Sequence, residues 1–152
     1  MCIRDSFATI YLSPKDYHRI HMPCDGVLIS MKYIPGNLFS VNQKSVNQVK
    51  RIFARNERLI CLFDTDFGVM AFVLVGAIFV GSMQTEWQGQ ITPPYSKKVI
   101  NYDYKGREIR LAKGDELGRF NMGSTVIMLL PEDFPEMNLH AGQQLKMGQA
   151  LI

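Results

Sequence analysis

Short apolar runs, each closed by glycine, proline or asparagine, recur along the whole of this chain. They fall at residues 7–12, 26–33, 59–63, 69–80, 97–104, 107–111 and 124–130. Runs of that length rich in Val, Ile, Phe and Tyr are too short for most helices and predict strands, so the chain is expected to be all-β. Val27, Ile29 and Met31 alternate with Leu28, Ser30 and Lys32, as on a half-exposed strand, whereas residues 73–80 are apolar on both parities, as on a buried one. Turn chemistry sits between the runs at Pro35-Gly36-Asn37, Pro93-Pro94, Lys105-Gly106 and Lys113-Gly114-Asp115. Residues 45–56 alone carry helical spacing, with Val46, Val49, Ile52 and Phe53 on one face and Ser45 as N-cap. The expected architecture is mainly β with one short helix, a compact sandwich or barrel-sandwich-like single domain. A chain of 152 residues suffices for one core and is short for two. The Gly-x-x-Leu pattern in Lys146-Met147-Gly148-Gln149-Ala150-Leu151 resembles the strand ends of barrel-sandwich domains and points the same way.

Charge and composition narrow the function classes. The formal charge of +3 is spread over scattered Lys and Arg, which gives nucleic-acid binding little support. A mildly basic face suits an anionic membrane surface, where each nearby cation contributes about 1 kcal/mol. The longest apolar stretch, 69–80, is interrupted by Gly76 and is shorter than the roughly 20 residues that span a bilayer. Residues 1–6 open no apolar stretch of signal-peptide length, so the expected location is peripheral, on the cytoplasmic face of the cell membrane. Cys2, Cys24 and Cys61 form no C-x-x-C pair or disulfide framework and read as reduced thiols, two of them buried. His18, His21 and His140 have no cysteine or carboxylate at zinc spacing, so no metal is expected.

Chemistry is placed at Gly123-Ser124, a small flexible residue directly before a hydroxyl, between strand-like runs in Gly118-Arg119-Phe120-Asn121-Met122-Gly123-Ser124-Thr125-Val126-Ile127. This is no serine-hydrolase elbow, because Met122 and Val126 stand where Gly-x-Ser-x-Gly needs glycine. Upstream, Tyr11-Leu12-Ser13-Pro14-Lys15-Asp16-Tyr17-His18-Arg19-Ile20-His21-Met22-Pro23 supplies two imidazoles three residues apart. Together with Pro35-Gly36-Asn37-Leu38-Phe39-Ser40-Val41-Asn42, Phe53-Ala54-Arg55-Asn56-Glu57-Arg58 and Val75-Gly76-Ala77, these segments resemble bacterial phosphatidylserine decarboxylases from about residue 7 to 151.

The resemblance implies a proenzyme that cuts itself between Gly123 and Ser124, giving a β chain of residues 7–123 and an α chain of residues 124–152. Ser124 Oγ would attack the Gly123 carbonyl, turning amide into ester with the help of a base. Elimination, tautomerisation and hydrolysis then convert Ser124 into a pyruvoyl group, the one cofactor implied. Its ketone captures the substrate amine and accepts electrons as CO₂ leaves phosphatidylserine, giving phosphatidylethanolamine. By family correspondence His21 is the base of self-cleavage and His18 serves decarboxylation; imidazoles titrate in the right range for both. Alternation along a strand would place the two rings on opposite faces, with a bend near Pro23 able to reunite them. Phe7, Tyr11 and Tyr17 are candidates to line the acyl-chain entry, and a homodimer is a candidate assembly.

The family completes its charge relay with an aspartate upstream of the histidine motif, and residues 1–6 do not resemble the family. The expectation is therefore a slow or uncleaved precursor, with Asp16, Asp64 and Asp66 as the acids that could stand in and Asp5 a poor substitute by position. Alternatives are an inactive truncated copy, a sister pyruvoyl-dependent decarboxylase, and a non-catalytic β-sandwich carrier. A carrier needs a lysine at a hairpin tip, which Met31-Lys32-Tyr33 and Lys146-Met147 only half match.

Overall fold

The computed structural model describes residues 6–78, 82–104, 106–121 and 124–152, and the apolar runs become antiparallel strands in two sheets. In chain order the strands are β1 (Ser6–Leu12), β2 (Arg19–His21), β3 (Gly26–Ile34), β4 (Arg58–Thr65), β5 (Gly68–Val75), β6 (Met83–Thr85), β7 (Gly89–Thr92), β8 (Ile100–Asp103), β9 (Arg110–Leu111), β10 (Glu116–Phe120) and β11 (Ser124–Leu130). Two helices, α1 (Gln43–Gln48) and α2 (Ile52–Arg55), lie between β3 and β4. The seven-stranded sheet runs β1-β11-β5-β4-β3-β8, with β9 also on β3; the four-stranded sheet runs β2-β10-β6-β7. The expected mainly β domain forms, with both sheets open rather than closed into a barrel.

One core joins the sheets. Leu59, Phe63, Phe72 and Leu74 of the large sheet share a buried cluster with Ile20, Met83, Leu117 and Phe120 of the small one. Phe63 is the hinge of that contact, its ring edge-on to Phe72 at 6.0 Å and to Trp87, between β6 and β7, at 5.8 Å. Each such ring contributes about 1.5–3 kcal/mol by leaving water.

Strand β5 ends at Val75, short of the buried strand expected to residue 80: Ile78 is 53% exposed, and residues 79 and 80 lie outside the described residues. Its neighbours β4 and β11 meet it as far as Arg58 and Thr125, both paired with Val75, and beyond that rung the ladders end. In β3 the alternation changes parity. Leu28 points inward, then Met31 and Tyr33, because Ile29 is an extra residue between Leu28↔Phe63 and Ser30↔Leu62. A bulge of this kind bends the strand and moves the inward set by one.

The single helix expected over 45–56 is two helices. Asn42, not Ser45, is the N-cap of α1, its side chain accepting from Ser45 N at 2.9 Å. Val49 turns extended and Arg51 takes a left-handed φ of 58°. The first helix buries nothing, so only the chain turn at Arg51 carries Ile52 into the core. The small sheet was not expected at all, its strands being short and polar. Gly118 lets β10 approach β6, since a Cβ there would sit 2.3 Å from Gln84 O. Past β11 the chain packs without strands. Residues 146–151, expected as a strand end, form a turn in which Gln149 N donates to Lys146 O. Of the cysteines, Cys61 is buried and Cys24 only half-buried, both free, and Cys2 lies outside the described residues.

Candidate active site at the crossing between the sheets

Two neighbours in sequence, β10 and β11, belong to different sheets, so the chain must cross from one to the other between Phe120 and Ser124. Both banks of the crossing are tied down. On the small-sheet side, Phe120 N donates to His18 O at 3.1 Å, Asn121 N to Ser82 O at 3.2 Å, and Asn121 Nδ2 to Ser82 Oγ. On the large-sheet side Ser124 pairs with Leu12 of β1, and its Oγ donates to Val75 O. Ser124 and Thr125 are both 0% exposed. Met122 and the expected cleavage residue Gly123 lie outside the described residues.

The histidines sit along β2, which runs antiparallel to β10. His18 precedes the strand at the Phe120 end, beside the crossing; its Nε2 is enclosed and without a hydrogen-bond partner among the described residues. His21 lies at the other end of the ladder, paired with Glu116. Its Nδ1 donates to Gly114 O at 2.7 Å, which leaves Nε2 to accept the Tyr17 hydroxyl at 2.8 Å. Tyr17 also stacks on the ring, centroids 5.8 Å apart. Among the described residues no hydrogen bond joins either ring to Ser124. The structure thus brings His18 to the crossing and holds His21 one ladder-length away, oriented by a carbonyl.

Asp16 closes the turn before His18, its Oδ2 accepting from Ser13 N at 2.8 Å and Ser13 Oγ at 2.7 Å. The Ser13 hydroxyl above all holds this carboxyl below its usual range, with Lys15 and His18 adding to the effect. Asp64 and Asp66 are exposed at the far end of β4, and Asp5 lies outside the described residues. That far end also carries a cavity of about 350 Å³ lined by Val27, Leu28, Asp64 and Tyr104, remote from Ser124 along the strand. Phe7, Tyr11 and Tyr17 are exposed, 64%, 46% and 47%, rather than in the core. Lys32, the first carrier candidate, is mid-strand between Ile60 and Asn101, and Lys146 lies in the 146–149 turn, so neither stands at a hairpin tip.

Sequence reasoning passed over a buried polar knot behind Ser124. Asn56, fully buried, donates to Gly76 O and Phe39 O, both at 2.8 Å, and accepts from Phe39 N at 3.1 Å. Its neighbour Glu57 is 3% exposed and receives the Tyr33 hydroxyl on Oε2 at 3.0 Å. Burial pushes this carboxyl up from the ordinary glutamate value, with Tyr33 opposing in part. The same pair drives the Tyr33 hydroxyl strongly upward, burial first and Glu57 second. The available signal was parity: Glu57 continues backward the inward set Leu59, Cys61, Phe63 of β4.

A family model described as phosphatidylserine decarboxylase matches residues 2–152. The chain is 57% identical over 148 residues to the phosphatidylserine decarboxylase proenzyme of Nitrosococcus oceani, covering 95% of this chain and 48% of that one. It is 53% identical to the proenzymes of Acidovorax ebreus and Methylococcus capsulatus, covering 96% of this chain and 52% and 51% of theirs. The chain spans about half the length of the curated relatives it matches.

Proposed function

The chain belongs to the phosphatidylserine decarboxylase family, and we propose that it is the self-cleaving, catalytic segment of such a proenzyme, cut between Gly123 and Ser124. The observation that carries this is Ser124 itself. Its hydroxyl is wholly out of water at the first residue of β11, directly after the crossing that contains the proposed scissile bond. In the first step the Oγ–carbonyl bond forms as the Gly123–Ser124 amide breaks, and the Oγ proton passes to a base. Elimination then takes the α-hydrogen of Ser124 and expels the Gly123 carboxylate. Tautomerisation and addition of water release ammonia and leave a pyruvoyl group at position 124.

The surroundings fit that group. It is built from a side chain already enclosed, and the crossing before it is tied through Phe120 N to the carbonyl of half-buried His18, whose Nε2 has no partner among the described residues. When formed, the pyruvoyl group supplies the electron sink for loss of CO₂ from an amino acid head group. His18 is the proposed proton carrier of that reaction and His21 the proposed base of self-cleavage, as the family correspondence has it. The proposed substrate is phosphatidylserine, reached from the cytoplasmic face of a membrane, with exposed Phe7 and Tyr11 on β1 suited to an apolar surface.

Intact mass of the denatured chain, before and after a primary amine and borohydride, tests the proposal. Two fragments parted at Gly123, the smaller lighter than residues 124–152 by one ammonia and trapped by the amine, are expected. Cleavage elsewhere, or a chain that never cleaves and holds no ester open to hydroxylamine, overturns it.

A further inference from the structure

Glu57 is buried one residue beyond the last full rung of the sheet. Arg58 and Thr125 both pair with Val75. One step further, Glu57 and Ser124 flank Gly76 from either side, and Gly76 N donates to Glu57 O at 2.9 Å. Side chains along a strand alternate, so those of Glu57 and Ser124 leave the same face of the sheet. Between them stands a residue without a side chain. A Cβ on Gly76 would fall 2.7 Å from Glu57 Cγ and 2.9 Å from Oε1, so the glutamate lies over the bare backbone of Gly76. Ser124 Oγ meanwhile bonds the Val75 carbonyl, part of the peptide that leads into Gly76.

We propose that Glu57 is the proton donor of self-cleavage at Ser124, an inference that rests on the function proposed above. As Ser124 Oγ bonds the Gly123 carbonyl carbon, its proton goes to a base. As the carbon–nitrogen bond breaks, the nitrogen of Ser124 takes the carboxylic proton of Glu57, leaving an ester, a free amine and a Glu57 carboxylate. The Tyr33 hydroxyl on Oε2 receives that new charge. Burial raises this carboxyl, which favours the acid form that the step requires.

Cleavage of the full chain is followed by intact mass, alongside its melting temperature, for the wild type, Glu57→Gln, Gly76→Ala and the double variant. Glutamine keeps the volume and still accepts from Tyr33, so a purely structural glutamate predicts unchanged cleavage. The proposal expects Glu57→Gln to cleave about 10²- to 10⁴-fold slower with its melting temperature not lowered. Gly76→Ala, which displaces the carboxyl, is expected to slow cleavage too, and to add nothing in the Glu57→Gln background. Wild-type cleavage should fall as pH rises through the titration of Glu57, a limb that Glu57→Gln lacks. The titrating groups around Glu57 are Tyr33 and, beside Tyr33, Tyr95, while Asn37, Asn56 and Gly76 carry no charge. Cleavage of Glu57→Gln at the wild-type rate overturns the inference alone; if that variant does not fold, a Gly76→Ala chain cleaving at the wild-type rate does so. A wild type that never cleaves overturns the proposed function and the inference together.

Discussion

Glu57 and its burial set a pH dependence on the folded chain. Its carboxyl is raised by desolvation, so the folded chain keeps a proton that the unfolded chain gives up once pH passes the ordinary glutamate range. Stability therefore falls with rising pH across the window from that range to the raised folded value, and levels off above it. Glu57→Gln removes the slope: its melting midpoint should gain on the wild type across that window, read by thermal unfolding at a series of pH values. Ser124→Ala should abolish cleavage and, by stripping Val75 O of a buried partner, cost about 1–3 kcal/mol. The imidazoles should part by assay. His21→Asn is expected to slow the appearance of fragments by about 10²- to 10⁴-fold, while His18→Gln still cleaves but loses decarboxylation by a similar factor. Ser124 and both histidines were singled out by the family resemblance of the segments around them, their residue types alone being a weak signal. Glu57 was passed over because a lone glutamate before an apolar strand looks like a solvated strand end, although its parity with Leu59, Cys61 and Phe63 points inward and the pairing of β4 with β5 agrees.

Among the elements, the long apolar strands were readable and the small sheet was not. Strand β11 came out with its expected ends, residues 124–130, every residue but the half-buried Ile127 and Leu129 being buried. β2 and β6 are three residues each, too short for any period to register, and β10 carries Glu116 and Arg119 in ion pairs that resemble surface decoration. Tertiary pairing, not local preference, makes them strands. The helix was misread because helical spacing continues through residues 49–51, where the core instead requires a turn to admit Ile52. Gly118→Ala tests the small sheet. Its Cβ would strike Gln84 O, backbone that cannot swing aside, so a loss of about 1–3 kcal/mol is expected, seen as a lowered melting midpoint.

At the scale of the whole molecule, the proposed cut falls on the one link between β10 and β11, which lie in different sheets. β11 is held on both sides, by β1 from Ser6↔Leu130 to Leu12↔Ser124 and by β5 from Thr125↔Val75 to Leu129↔Ala71. A severed residue 124–152 fragment would thus keep two complete ladders and its buried face. The two pieces should elute together under native conditions and separate only in denaturant. The cut would also change the molecularity of unfolding: one chain coming apart becomes two partners dissociating. The melting temperature of the cleaved protein should then rise with protein concentration, while that of the uncleaved Ser124→Ala chain should not.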